Sequence, residues 1–504
     1  MFNEADSRGV LGFAPACSGA PMAKPTLVLV PVWGVGHFEP MLEAGKRLLS
    51  RGAGTFTITV LVMPLPHNAK RTAEIAEVIR KVEDSGLDNI RFRHLPAAEP
   101  PTDHSGIEEF ISRYVRRYTP HVRAAVAGLA CPVAAVVVDI FCTPLFDAAR
   151  ELAVPAYVYF IGSAAMCALL LRSPALDEEA GDGVEFGEAD GGVDVPGLPL
   201  VAAACLPTGL ENRKVPTYRW FVYNGRRYME AKGIIVNTVV KLEPGVLAAI
   251  AAGRCTRGAR APPVYTIGPV LPFTPAAAQP AQPAHECVRW LDAQPPVSVV
   301  FLCFGGGGFF TAPQAHEVAR ALERGGHRFL WVLRGPPGPG TNVPTDGDLA
   351  ELLPVGFEER TRGRGLVWPK RAPQKEILAH AAVGGFVTHC GWNSILESLW
   401  FGVPMVPWPC AAEQHYNAFA LVAAMGVAVA MEVDRKRNNF VEAVELERAV
   451  KALMDGGEDG RKAREKAVEM KDKCRTAMEE GGSSSLSLQR LAQTLVEGAV
   501  TPKK

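Results

Sequence analysis

The sequence lacks a net charge. Its 504 residues include 53 Lys and Arg and 53 Asp and Glu, so the formal charge at pH 7 is zero. Proteins that bind nucleic acids rely on basic surfaces, because contacts with the phosphate backbone supply much of their affinity. The balance of charge therefore argues against a nucleic-acid partner and favours a small molecule that is held by local groups.

Long apolar runs are absent as well. No stretch of about 18 residues is both uncharged and apolar, so we expect no transmembrane helix. The segment before the first strand has no basic part followed by an apolar core, and it contains Glu4 and Asp6. These features argue against a secretory signal and against a transit peptide. We expect residues 1–21 to form a disordered tail in a cytoplasmic protein.

The sequence also lacks closely spaced pairs of cysteines. The eleven cysteines are scattered along the chain and include no C-x-x-C pair. Disulfide frameworks and structural zinc sites use regularly spaced sets of cysteines, so we expect neither. The pattern fits a reducing cytosol.

The sequence does contain a regular alternation of apolar runs and helical patterns. Apolar runs at Thr26–Val32, Thr55–Met63 and Pro132–Phe141 are typical of buried parallel strands. Helical patterns follow them, and the alternation restarts at Val297–Phe304. This order predicts two Rossmann-like α/β domains, each with a parallel sheet covered by helices.

A segment rich in proline and alanine, Phe273–Pro283, separates the two halves. Such a composition is typical of an interdomain linker. We predict a first domain over residues 22–270, a linker over 271–284, a second domain over 285–480 and a C-terminal helical segment over 481–504. Ligands of open α/β sheets bind at the carboxyl ends of the strands, so the cleft between the domains is the predicted site.

The turn Gly34–Pro40 follows the first strand, opens a helix and carries His37. An imidazole at the mouth of a cleft suits a general base near neutral pH. Asp139 ends another apolar strand, where a carboxylate could orient a histidine and stabilise its protonated form. From the residues alone, a structural role for His37 and a helix cap or salt bridge for Asp139 remain alternatives.

The glycine run Gly305–Gly308 follows the strand that opens the second half. Backbone N–H groups in such a turn can approach a phosphate closely. The GK[ST] ending of a P-loop is absent, and a flexible turn without a ligand is an equal alternative.

The run THCGWNS links a strand to a helix further along the chain. It places Asn393 and Ser394 at the helix start, where N–H groups and the helix dipole favour a phosphate, and His389 at the end of the strand. Glu397 lies three residues after Ser394. This spacing fits a capping box or, alternatively, a carboxylate that binds the hydroxyls of a ribose.

The segment Arg371–Gln414 resembles the signature box of plant secondary-product glycosyltransferases, the UDP-sugar-dependent family 1 enzymes of GT-B fold. The match has unbroken spacing at Gln374, His380, the HCGWNS run, Glu397, Gly402, Pro404, Trp408, Pro409, Glu413 and Gln414. The resemblance extends over nearly the whole chain, including GHFEPMLEAGKRLL, VVVDIFCTPLFDAA, VYTIGPV and FLCFGGGGFF. Two further segments, beginning ENRKVP and MEVDRK, resemble the branch that glucosylates flavonoids and related phenolics.

The resemblance implies a GT-B fold, in which two Rossmann-like domains face each other across a cleft and the last helix returns to the first domain. It also implies that His37 is the general base and Asp139 its partner. The donor-binding positions of the family are matched by Gly306, Arg371, Ala372, Gln374, His389, Trp392, Asn393, Ser394, Glu397, Glu413 and Gln414.

Within that set, the resemblance assigns each part of the donor to its own residues. The diphosphate is assigned to His389, Asn393, Ser394 and the backbone at Trp392. The ribose is assigned to Gln374 and Glu397, and the hexose to Glu413 and Gln414. A glutamine at the last position of the box implies glucose as the sugar.

The chain departs from the family pattern at two positions. The first residue of the box is usually a tryptophan that stacks on uracil, and here it is Arg371, whose planar guanidinium can also stack on a base. The glycine turn is usually FGS, and here Gly306 replaces the serine and removes a hydroxyl that would contact the diphosphate.

The implied reaction is the inverting transfer of glucose from UDP-glucose to a hydroxyl of a flavonoid or related phenolic, which gives a β-O-glucoside. We expect a monomer that uses no cofactor, since UDP-glucose is a co-substrate. Asp346 and Asp348 form a DxD pattern in an irregular loop, and we expect no metal there. The alternatives are a non-catalytic protein that binds UDP-sugars or phenolics, and an enzyme of the same fold with another donor.

Overall fold

The computed structural model describes residues 23–52, 54–65, 68–181, 185–186, 192–272, 284–338, 343–500 and 502. The tail predicted over 1–21 lies outside these residues, and so does most of the predicted linker, at 273–283. The predicted domain boundaries therefore stay predictions. None of the helices in the described ranges is long and apolar enough to cross a membrane.

The first half of the chain forms a seven-stranded sheet in which every pairing is parallel. Its strands are β1 (Thr26–Val30), β2 (Thr57–Val62), β3 (Ile90–His94), β4 (Val133–Asp139), β5 (Ala156–Phe160), β6 (Gly233–Val236) and β7 (Val264–Thr266). The order across the sheet is β3-β2-β1-β4-β5-β6-β7. Every residue of β1 and β4 is buried, as expected for central strands that are covered by helices on both faces.

The second half forms a five-stranded parallel sheet and a small antiparallel pair. The strands are β8 (Val299–Cys303), β9 (Arg328–Val332), β10 (Arg334–Pro337), β11 (Pro344–Asp346), β12 (Gly365–Trp368), β13 (Val383–Thr388) and β14 (Met405–Pro407). The parallel sheet has the order β12-β9-β8-β13-β14, and β10 pairs with β11. We call the unit around the seven-stranded sheet the first domain and the unit around the five-stranded sheet the second domain.

The helices cover both faces of each sheet. Those of the first half are α1 (Val35–Arg51), α2 (Ala69–Glu83), α3 (Ile107–Arg117), α4 (Thr119–Ala127), α5 (Phe146–Glu151), α6 (Ala164–Glu179), α7 (Thr208–Glu211), α8 (Pro216–Tyr228) and α9 (Pro244–Ala251). Those of the second half are α10 (Glu286–Asp292), α11 (Ala312–Gly325), α12 (Leu349–Leu352), α13 (Phe357–Arg360), α14 (Gln374–Ala379), α15 (Trp392–Phe401), α16 (Gln414–Phe419), α17 (Ala443–Met454), α18 (Glu458–Met478) and α19 (Ser483–Glu497).

The last helix, α19, packs against the first domain. It contacts α1, β4 and β7, and its buried leucines Leu488, Leu491 and Leu495 join the apolar cluster formed by one face of the seven-stranded sheet. The residues that follow β1 and β4 border a cavity between the domains, which Gly306 and Arg371 of the second domain also line. The end of β8, at Cys303, borders an adjoining cavity, and His389, directly after β13, lies against Gly305 of that cavity. The two sheets thereby bring four strand ends together.

Candidate active site

His37 lies in the first turn of α1, directly after β1. Gly34 precedes this helix with φ +103°, a conformation that side chains with a Cβ rarely adopt. Its carbonyl accepts hydrogen bonds from the N–H groups of His37 and Phe38, each at 3.0 Å. The glycine therefore allows a sharp change of direction that brings the imidazole to the end of the strand.

The imidazole is hydrogen-bonded to Asp139, the last residue of β4. The Nδ1 atom of His37 lies 2.8 Å from Oδ2 of Asp139, and the aspartate is completely buried whereas the histidine is 30% exposed. The other carboxylate oxygen of Asp139 accepts a bond from the N–H of Phe141 at 3.3 Å. Because the carboxylate accepts, Nδ1 carries the proton, and Nε2 is left with a free lone pair.

The surroundings raise the pKa of His37 above its usual value of 6.5. Burial acts against the protonated imidazole, but the charge of Asp139 and its hydrogen bond outweigh that effect. Glu413 adds a smaller contribution in the same direction, and Arg71 acts against it. A histidine with a raised pKa is a stronger proton acceptor, which suits a general base.

A cavity of about 570 Å³ opens in front of His37. Most of its wall is apolar or aromatic, and it includes Trp33, Ile111, Ile140, Phe141, Phe160 and Phe221. The rings of Phe141 and Phe221 meet edge to face with centroids 6.1 Å apart, and the ring of His37 lies 6.3 Å from that of Phe141. We call this the larger cavity, and its lining suits an apolar or aromatic molecule with a few polar groups.

A second cavity, of about 380 Å³, adjoins the first and lies against the second domain. The side chain of Gln374 donates from Nε2 to Ser394 Oγ at 2.9 Å and to Glu397 Oε2 at 2.7 Å. Burial raises the pKa of Glu397, and the bond from Gln374 opposes that rise. Ala372 also borders this smaller cavity. The two residues predicted to bind a ribose, Gln374 and Glu397, thus border one cavity and are hydrogen-bonded to each other.

The structure excludes the capping-box alternative for Ser394 and Glu397. Helix α15 begins at Trp392 with Gly391 as its N-cap, so Ser394 is the third helical residue and not the cap. The hydroxyl of Ser394 bonds to Gln374 instead. The sequence spacing suggested a cap because it does not reveal that the N-cap lies three residues earlier, at Gly391.

The ring of His389 lies between two glycines. A Cβ added to Gly305, which has φ +68°, would lie 2.7 Å from the ring, and one added to Gly391 would lie 2.5 Å from Nε2. Burial lowers the pKa of His389 to about 4, so the imidazole is neutral at pH 7. Its Nδ1 atom has no hydrogen-bond partner among the described residues. A neutral imidazole here can still donate one hydrogen bond to a phosphate.

The start of α15 touches the turn that holds His37. Pro40 lies inside α1 and lacks an N–H, so the carbonyl of Gly36 loses its usual intrahelical donor. The Nδ2 atom of Asn393 donates to that carbonyl across the cleft at 3.2 Å, while Oδ1 of Asn393 has no partner within the described part of the chain. The indole of Trp392 donates to the carbonyl of Asn237 at 2.7 Å. Because Trp392 is the first residue of α15, its backbone N–H has no acceptor within the helix.

Arg371 and Gly306 border both cavities. The guanidinium of Arg371 forms an ion pair with Glu74 of α2, with Nη2 2.6 Å from Oε1. A Cβ added to Gly306 would meet no heavy atom of the described residues within 4 Å, and its φ is not in the positive range. The backbone at this position therefore has room for the serine that the family usually carries.

Glu413 and Gln414 differ in their surroundings. Glu413 borders the larger cavity, and burial raises the pKa of its carboxyl group. The Oε1 atom of Gln414 accepts bonds from the N–H groups of Cys410 and Ala411, at 2.8 and 3.0 Å. The side-chain carbonyl of Gln414 thus holds its own loop, and Gln414 is not among the residues that border the two cavities.

The two aspartates of the DxD pattern have separate tasks. Asp348 caps α12 by accepting from the N–H of Ala350 at 3.0 Å, and Asp346 lies 3.5 Å from the guanidinium of Arg334. In the ranges that the structure covers, no group of three or more His, Cys, Asp and Glu is arranged to hold a metal ion.

His380, another residue of the signature box, lies outside both cavities. Its Nε2 atom is 3.1 Å from Oδ1 of Asp292.

Several charged residues of the cleft were not predicted. Arg71 and Glu74 of α2 and Glu108 of α3 all border the larger cavity. They carry no sequence motif, and only the one-turn spacing of Arg71 and Glu74 on one helix face could have suggested that they act together.

Three comparisons place the chain among known proteins. Residues 275–462 match the family described as UDP-glucoronosyl and UDP-glucosyl transferase. The chain is 63% identical to the malvidin galactosylase of Oryza sativa subsp. japonica over 95% of its own length and 99% of that protein. It is 37% identical to the anthocyanidin 5,3-O-glucosyltransferase of a Rosa hybrid cultivar, over 94% and 99% of the two chains.

A solved structure shows the same architecture. The chain superposes with a TM-score of 0.80 on the structure of Phytolacca americana UGT2, which was solved in complex with UDP-2-fluoro-glucose and pterostilbene. The two sequences are 34% identical, and the match covers 94% of this chain and 100% of the other. The predicted GT-B fold is thereby confirmed. The chain belongs to the plant UDP-sugar-dependent glycosyltransferases.

Proposed function

We propose that the protein transfers a hexose from a UDP-sugar to a phenolic hydroxyl of a flavonoid or anthocyanidin, with inversion at the anomeric carbon. The observation that carries this proposal is the His37–Asp139 pair: its imidazole borders the larger, mostly apolar cavity, and the smaller, polar cavity adjoins that one. The larger cavity is the proposed acceptor site and the smaller cavity the proposed nucleotide site. The names of the relatives, one a malvidin galactosylase and one an anthocyanidin glucosyltransferase, support the class of acceptor.

The proposed reaction is a single displacement. Nε2 of His37 takes the phenolic proton while the oxygen attacks the anomeric carbon, and Asp139 stabilises the imidazolium that forms. The new C–O bond forms as the bond to the UDP oxygen breaks, and UDP leaves with the electron pair. Attack opposite the leaving group converts an α-linked donor into a β-glycoside.

The leaving diphosphate is proposed to move toward the start of α15. There the free N–H groups and the helix dipole favour negative charge, and Asn393, Ser394 and neutral His389 lie beside them. These preorganised donors would take the part that a metal ion plays in other enzymes. We therefore propose a reaction without a metal or cofactor.

Glucose and galactose, the two candidate sugars of the donor, differ only in configuration at C4. Gln414 at the end of the box favours glucose, whereas the relative with 63% identity is named a galactosylase. We propose UDP-glucose as the donor and UDP-galactose as the alternative.

A non-catalytic protein that binds UDP-sugars or phenolics is a further alternative, motivated by Arg371 and Gly306. We also propose that the protein acts as a monomer in the cytoplasm.

A direct competition tests the proposal. The purified protein is incubated with UDP-glucose and UDP-galactose at equal concentration and with an anthocyanidin, a flavonol or a simple phenol as acceptor. Mass spectrometry and the anomeric proton coupling identify the product. A new β-glycoside with released UDP is expected, whereas binding of UDP without turnover of any acceptor would support the non-catalytic alternative.

A further inference from the structure

An ion pair joins the two domains at the point where the cavities meet. Nη2 of Arg371, in the loop after β12, lies 2.6 Å from Oε1 of Glu74, on α2 of the first domain. The side chain of Arg371 is 53% exposed and that of Glu74 is 21% exposed. Arg371 borders both cavities, and Glu74 borders the larger one. A residue of the acceptor side therefore contacts the rim of the nucleotide site.

Charged residues of both signs surround this pair. On the first domain, Arg71 borders the larger cavity beside Glu74. On the second domain, the smaller cavity is bordered by basic and acidic side chains: Arg334, Arg371, Lys375, Glu376 and Glu397. The attraction between Glu74 and Arg371 across the cleft is screened by salt.

The ion pair restricts a side chain that would otherwise be mobile. Arginine has many rotamers, and a ligand that binds it must restrict them, which costs conformational entropy. At the backbone, the carbonyl of Arg371 accepts a hydrogen bond from Nε1 of Trp368 at 3.1 Å. The ion pair with Glu74 restrains the other end, so the guanidinium favours a position at the cavity rim before a nucleotide arrives.

We propose that Glu74 is a positioning residue for the nucleotide: through its ion pair it holds the Arg371 guanidinium where the nucleobase binds, so that donor affinity depends on a residue of the acceptor domain. The inference rests on the proposed function, since it takes the smaller cavity as the UDP site. In this role Glu74 acts through Arg371.

The test is the affinity for UDP, measured by calorimetry without turnover. Glu74→Gln keeps the shape of the side chain and removes its charge. An exposed ion pair contributes little, so we expect UDP affinity to fall by about three- to fivefold. Glu77→Gln is the matched control, since Glu77 lies one turn further along α2 and pairs with Arg80 on the surface. It should leave the affinity unchanged.

Two further arms separate positioning from a general effect on structure. In an Arg371→Ala background, Glu74→Gln should have no additional effect on UDP affinity, because the pair is already broken. Inorganic pyrophosphate lacks a nucleobase, so its affinity should be the same in the native protein and in Glu74→Gln. Higher salt should weaken UDP binding more in the native protein than in this variant.

The outcomes distinguish this inference from the proposed function. If the native protein binds UDP and Glu74→Gln binds it equally well or more tightly, the positioning role is wrong and the proposed function stands. Loss of affinity for pyrophosphate as well as UDP would also overturn the positioning role, because the effect would not involve the nucleobase. If the native protein binds no UDP, both proposals are wrong.

Discussion

Replacing Asp139 by asparagine tests the most specific feature of the site. The carboxylate is completely buried and lies 2.8 Å from Nδ1 of His37. A hydrogen bond to a charged group contributes about 1.5–3 kcal/mol. Since about 1.4 kcal/mol in the barrier changes a rate tenfold, loss of the charge alone predicts a decrease in kcat of about ten- to 150-fold.

A second effect adds to this loss. The amide of asparagine can donate to Nδ1, which holds the imidazole proton on Nε2, the atom that must accept the phenolic proton. A base in the wrong tautomer cannot act, so the total decrease in kcat should reach about 10²–10⁴-fold. UDP affinity should change little, because the proposed nucleotide contacts lie mainly in the second domain.

The variant should also shift the pH dependence. In the native protein His37 must be neutral to act, so kcat/KM should fall as the pH drops through a pKa above 6.5. Without Asp139, burial remains the larger influence and the pKa of His37 falls. In the plot of kcat/KM against pH, the acid limb should therefore move to lower pH. The maximum value of kcat/KM should be much lower than in the native protein.

The assay is UDP release from pH 5 to 9 at saturating donor. Asp292→Asn is the matched control, because Asp292 forms a histidine–aspartate pair with His380 at 3.1 Å outside both cavities. It should leave the rate and the profile unchanged. A kcat within about threefold of native for Asp139→Asn, with the acid limb in the same place, would refute the reasoning.

Three other outcomes are expected. Gly306→Ser has open space for its side chain and adds one hydroxyl beside the donor, so the donor KM should fall by up to about fivefold, and a rise would contradict the proposed contact. Glu397→Gln removes the carboxylate that is proposed to bind the ribose, so the donor KM should rise by about tenfold or more while the acceptor KM stays the same, and equal changes in both constants would argue against it. Activity should persist in excess EDTA, whereas a loss that Mn²⁺ restores would favour a metal role for Asp346 and Asp348.

The sequence predicted the strands that lie at the centre of the sheets. The runs at Thr26–Val32, Pro132–Phe141 and Val297–Phe304 became β1, β4 and β8, because strands that are buried on both faces are continuously apolar. The edge strand β3 has the sequence IRFRH, with alternating charged residues, and was not predicted. The longest helix, α18, was also missed, because its sequence is largely charged and its buried positions are mostly small residues.

The site was predictable as far as its residues follow a local motif. The family resemblance paired His37 with Asp139, and the structure places their side chains in contact across 102 positions of sequence. The ion pair between Arg371 and Glu74 joins residues 297 positions apart. It could not be predicted from the sequence, because Glu74 belongs to no motif that marks it as a partner of Arg371. The roles of the donor-binding residues stay predictions until a nucleotide is bound and the variants are measured.

The central claim is that His37 is the general base of a UDP-sugar-dependent transfer. The most direct measurement is kcat for His37→Ala, with UDP affinity measured on the same sample. We predict that kcat falls by about 10²-fold or more, within the range of general-base loss, while UDP affinity stays within about twofold of native. Turnover at the native rate in this variant would contradict the account.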